Sequence, residues 1–138
     1  MLYQKILVPM ALDHDISPRT LEIAQALSAP GAQIIALHVY EMPAGMANVY
    51  IDEETLEAAY AAARARLAEK TAGIAGLTPV ITQGHSARTI IDYAHAHGID
   101  CIVMGSHKPG LSDYFLGSTA ARVVRHAPCA VHVQRSPV

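Results

Sequence analysis

The stretch that decides the fold is CIVMGSHKPGLSDYFLGSTAARVVRH, Cys101 to His126. It opens on apolar residues, Cys101 to Met104, a short unbroken run that fits a strand buried on both faces. A loop with Gly105, Ser106, His107, Lys108, Pro109 and Gly110 follows, then a partly apolar segment from Leu111 to Leu116. Gly117, Ser118 and Thr119 stand directly ahead of a helical pattern ending at His126. A strand thus ends in a glycine loop, and a second small-residue turn opens a helix. Backbone N–H groups at such a turn, with the positive end of the helix dipole, suit an anion and above all a phosphate. The bland alternative has equal standing on these residues alone: Gly105 as a tight turn and Gly117-Ser118 as a plain helix cap.

Outward from this stretch the same alternation recurs. Tyr3 to Pro9 reads as a first strand closed by its proline. Ser17 before Pro18 has the form of an N-cap with proline at the first helical position. Leu21, Ile23, Ala24, Leu27 and Ala29 form the stripe of a helix that Pro30-Gly31 ends. Gln33 to Val39 is a second buried strand, and Glu41 to Tyr50 an excursion over the strand ends. A long helix is expected from Asp52 to about Ala72, with Leu56, Tyr60, Ala63 and Leu67 inward. Thr78 to Thr82, interrupted by Pro79, reads as an edge strand. Ser86 is the expected cap of a helix that Gly98 ends, and Cys129 to Gln134 is the last strand, set off by Pro128.

Strands joined by helices run parallel with helices on both faces. The reading is therefore a single α/β domain over residues 1–138: a doubly wound five-stranded parallel sheet, strand order 3-2-1-4-5, with four helices. Ligands of such sheets lie outside the carboxyl ends of the strands where the strand order reverses. That places the loop after the first strand and the Gly105 loop at one crevice.

Composition narrows the function classes. Of 138 residues 51% are apolar and 16% charged, which supports a core and not disorder. A formal net charge of −2 offers no basic stripe for nucleic acid. No apolar run approaches a membrane span, and MLYQKILVP reads as a strand rather than a signal peptide, so the default location is the cytoplasm. The two cysteines, Cys101 and Cys129, sit in apolar runs of adjacent strands and read as buried thiols rather than a disulfide or a metal pair. His95 and His97 do not share a helix face, and His38, His126 and His132 read as structural. GxGxxG is absent, no glycine-lysine-serine/threonine run opens a helix, and nothing forms a catalytic triad.

Four segments carry a family resemblance: KILVP at Lys5 to Pro9, LHV at Leu37 to Val39, DCIVMGSH at Asp100 to His107, and LGSTAARVVRHAPCAVHV at Leu116 to Val133. Over nearly its whole length the chain resembles the universal stress protein family. Nucleotide-binding members carry a glycine, two residues, a glycine, nine residues, then glycine with serine or threonine. Gly105 matches the first glycine, and Gly117 with Ser118 the last pair. Lys108 stands in the second glycine's place, Gly110 comes two residues later, and the span is one residue shorter. The GSHKPG form looks like the branch that writes this loop as glycine-serine-histidine-basic-proline. The family's aspartate two positions after the strand-ending Pro9 is here Ala11. Asp13 is the nearest carboxylate, and it either reaches the same place or caps the loop.

The resemblance implies binding of ATP or another adenine nucleotide, with Mg2+ held mainly by phosphates and water. By the same resemblance Val39 offers backbone contacts to the adenine edge, and Met104, Gly105 and Ser106 line the ribose and phosphate side. Ser118 and Thr119 receive the terminal phosphates, and His107 and Lys108 add positive charge. It implies a homodimer, or a higher oligomer, through the apolar final strand, Cys129 to Val133, whose uncharged edge invites pairing. No general base stands out, so a binding module in stress response or signalling leads. A slow phosphoryl- or nucleotidyl-transferring enzyme and a dimeric scaffold without nucleotide are the alternatives.

Overall fold

In the computed structural model, residues 2–12, 17–41, 52–106 and 116–135 are described. Asp13, His107, Lys108 and Gly110 lie outside them, as do His14 and nearly all of the excursion after Glu41. The strands are β1 (Tyr3–Pro9), β2 (Ser28–Tyr40), β3 (Leu77–Gln83), β4 (Cys101–Gly105) and β5 (Ala130–Gln134). The helices are α1 (Pro18–Leu27), α2 (Glu53–Thr71), α3 (Ser86–Ala96) and α4 (Ser118–His126). The sheet is all parallel, in the order β3-β2-β1-β4-β5. The order reverses between β1 and β4.

Side-chain alternation along the central strands builds two layers of core. Leu7, Ile35, Leu37, Val39, Ile102 and Met104 project to one face, against Ala87, Ile90 and Ala94 of α3 and Ala120 and Val123 of α4. Ile6, Val8, Ile34, Cys101 and Val103 project to the other, where Ala24 of α1 packs. A third cluster joins Leu12 to Ala63 and Leu67 of α2, with Met10, Tyr40 and Ile81 at its edge. This is the period-2 pattern of strands covered on both sides. Small alanines on the helices let them approach the sheet closely.

The boundaries depart from the sequence reading at several points. Helix α1 stops at Leu27, so Ala29 belongs to β2, which begins at Ser28 and carries Pro30-Gly31 inside it. The pairing explains this: from Tyr3↔Ser28 to Lys5↔Gln33, β1 advances two residues while β2 advances five. That irregularity absorbs the proline, with Gly31 at φ 79°. Ser17 precedes Pro18 as expected, but makes no capping side-chain bond among the described residues. His85, not Ser86, is the N-cap of α3. The last strand begins at Ala130 rather than Cys129. It is an edge strand, so Cys129 is half-buried rather than central, and it packs on the α3/α4 face while Cys101 faces α1.

Candidate functional site: the carboxyl ends of β1 and β4

At the reversal the two strands part. Their rungs are Ile6↔Cys101 and Leu7↔Ile102, and beyond these β1 runs on to Pro9 and β4 to Gly105 unpaired with each other. The opposite end of this seam is held by Asp100. Its carboxylate accepts from the backbone N–H groups of Gln4 (2.8 Å) and Lys5 (3.0 Å), and its own N–H donates to Lys5 O (3.0 Å). Asp100 thus reinforces, at the strand start, the register that the two rungs set.

Past β4 two backbone bonds tie the chain. Ser106 N–H donates to Gln134 O of β5 (3.0 Å), and Ser106 O accepts from Gly117 N–H (2.7 Å). Ser106 and Gly117 are therefore in direct contact although far apart in sequence. The start of α4 is pinned against the end of β4, bringing together the glycine turn and the helix opening that the sequence separates. Gly105 is exposed, and a Cβ built there would meet nothing within 4 Å. Ser106 is 1% exposed, and its hydroxyl has no hydrogen-bond partner among the described residues. A buried hydroxyl without a partner is costly in a finished structure.

The helix starts differ in how their amides are satisfied. Asp52 caps α2, accepting from Thr55 N–H (2.7 Å); hydrogen bonding from the Thr55 side chain first, and then from its backbone, lowers the carboxyl pKa below its ordinary value. Glu41, just past β2, accepts from Ser86 N–H (2.6 Å) and Ser86 Oγ (3.0 Å) at the start of α3. Helices α1 and α4 have no side-chain cap among the described residues and no acidic residue in the first turn. These two helices follow β1 and β4, the strands that flank the crevice. In α4 the first helical bond is Ala121 N–H to Gly117 O (2.9 Å), which leaves the N–H groups of Ser118, Thr119 and Ala120 ahead of it. Arg125 and His126 occupy its last turn, matching the dipole.

The remaining expected site residues distribute as follows. Pro9 ends β1 and Ala11 is half-buried two residues on. Val39 lies one residue before the end of β2, 8% exposed and facing α3, and Met104 is buried in the same cluster. Ser118 is exposed and Thr119 half-buried. Four contributors are absent from the sequence reading. Ala120 offers only a backbone amide. Asp100, Glu41 and Arg66 act across long sequence separations, and only Asp100 carried a local signal, standing directly before the buried run of β4. Among the described residues no group of three His, Cys, Asp or Glu side chains is placed to hold a metal ion, and no helix is long and apolar enough to cross a membrane.

Residues 2–135 match the model of the Universal stress protein family. The chain belongs to this family. A universal stress protein from Thermus aquaticus is 32% identical over 125 residues, covering 88% of this chain and 91% of the relative. The universal stress protein UspA from Lactobacillus plantarum superposes with a TM-score of 0.73 at 30% identity, over 98% of this chain and 99% of that one. Two more distant universal stress protein structures share the fold and were solved with nucleotide. One, from Arabidopsis thaliana, holds AMP (TM-score 0.62, 19% identity, 98% of this chain and 93% of that one). The other is a complex with cAMP (TM-score 0.61, 23% identity, 99% of this chain and 100% of that one).

Proposed function

We propose that this universal stress protein binds an adenine nucleotide at the carboxyl ends of β1 and β4 and acts as a stress-response or signalling module. The observation that carries the reading is the buried Ser106 hydroxyl, beside the start of α4, both without a partner or capping carboxylate among the described residues. An anionic phosphate supplies what both lack: acceptors for the hydroxyl and for the N–H groups of Ser118, Thr119 and Ala120. Support for adenine comes from the family relatives solved with AMP and cAMP. ATP with Mg2+ is included in the proposal, the ion held by phosphates and water. Val39, Pro9 and Ala11, with Asp13 beyond them, form the nucleoside side. A cytoplasmic setting is consistent with two free thiols.

The proposal includes a homodimer through the final strand. Gln134 O faces β4, where it meets Ser106 N–H. Backbone groups alternate sides along a strand, so Val131 and Val133 direct theirs to the outer edge.

Calorimetric titration of the native protein with AMP, cAMP and ATP·Mg2+ tests the site. Saturable heat is expected for at least one of the three, and none for all three rejects the reading. Ser106→Ala should weaken the bound nucleotide roughly tenfold while leaving thermal stability equal or higher, because the hydroxyl it removes is unsatisfied in the free protein.

A further inference from the structure

β1 leaves the sheet at Pro9, and the next three residues are tied down at both ends. Met10 N–H donates to Leu37 O of β2 (2.9 Å), and Met10 O accepts from His38 Nδ1 (2.9 Å). Leu12 O accepts from Arg66 Nη2 of α2 (2.7 Å), and the Leu12 side chain is buried against Ala63 and Leu67. A carbonyl only accepts, so His38 must carry its proton on Nδ1 in the neutral ring. His38 is thereby committed to one tautomer by a backbone atom just past the end of β1.

We infer that His38, assisted by Arg66, is a positioning residue for the nucleoside half of the site. It fixes the exit of β1 over Met10 to Leu12 without touching the ligand. This inference rests on the nucleotide-binding reading above. The physical logic is preorganisation: a loop held in its bound course loses less freedom on binding than one that must be ordered by the ligand. The phosphate half is held separately, by the Ser106–Gly117 bond. The two halves should therefore respond to different substitutions.

The test titrates wild type, His38→Ala, His38→Asn and Arg66→Met with AMP and with adenosine, and assigns the wild-type imidazole tautomer by 15N NMR. His38→Ala should weaken AMP and adenosine by the same factor, roughly fivefold for one lost hydrogen bond. His38→Asn, whose amide N–H lies near the place of Nδ1–H, should recover most of the loss. Arg66→Met should repeat the pattern in the same direction, and serves if His38→Ala does not fold. The NMR spectrum should show a protonated Nδ1. Unchanged affinity in all variants, a loss confined to AMP, failure of His38→Asn to recover, or a bare Nδ1 overturns the inference alone. A wild type that binds neither ligand overturns it together with the nucleotide-binding reading.

Discussion

Cys101 shows how a single residue is placed for packing rather than reactivity. Its side chain is 1% exposed in the α1-facing core, and burial first, then the charges of Cys129 and Asp100, push its thiol from 9.0 to about 11. Cys129 is pushed up as well, chiefly by burial. A thiol held protonated is a poor nucleophile. The stability consequence has a definite sign. Below pH 9.0 both folded and unfolded chains keep the proton; between 9.0 and about 11 the unfolded chain gives it up and the folded chain does not, so stability falls as pH rises through that window. Denaturant titrations from pH 8 to 11 should show this decline in wild type and a shallower one in Cys101→Ala. Equal slopes would contradict the assignment. Ser106 is the opposite case at the same scale: like Thr82 Oγ1, its buried hydroxyl has no partner among the described residues, a cost that the proposed phosphate would offset.

At the scale of elements, the seam between β1 and β4 is the construction that matters. Two rungs and the Asp100 clamp align the strands, and the unpaired ends beyond Leu7 and Ile102 open the crevice. Asp100→Ala removes a charged acceptor of two backbone N–H groups, and should cost about 1.5–3 kcal/mol of unfolding free energy by chemical denaturation. A loss within a few tenths would mean that the rungs alone set the register. The strands and helices were legible in the sequence because each central strand is an unbroken apolar run and each helix is punctuated by proline or glycine. The errors fell where local chemistry is overruled by tertiary contacts. Pro30-Gly31 reads as a helix stop, yet it is carried inside β2 because a parallel pairing tolerates the irregularity there. Ser86 reads as a cap, yet Glu41, from a distant strand end, supplies the acceptor. Such partners leave no trace in a local pattern.

For the whole molecule, the doubly wound topology decides where a ligand and a second copy can go. The reversal puts the proposed ligand site at the ends of β1 and β4, and the strand order leaves β5 at an edge. The proposed phosphate side rests on glycine and serine at strand and helix ends, a pattern visible in the sequence; the His38–Met10 link on the proposed nucleoside side leaves no such pattern, because it joins residues far apart in sequence. The proposed edge pairing has its own check. Val133→Pro removes an outward N–H without breaking the bonds to β4, a change that edge strands accept. Sedimentation should show a wild-type dimer and a monomeric variant; a variant that stays dimeric would place the interface elsewhere.

The central claim is that a nucleotide phosphate sits at the start of α4 against Ser106. Its most direct test is amide NMR of the labelled protein titrated with AMP. Saturable shifts are expected to centre on Gly105, Ser106, Gly117, Ser118, Thr119 and Ala120, with the amide of Ser86 at the Glu41-capped start of α3 unmoved. Shifts centred on α3, or none at saturating AMP, would contradict it.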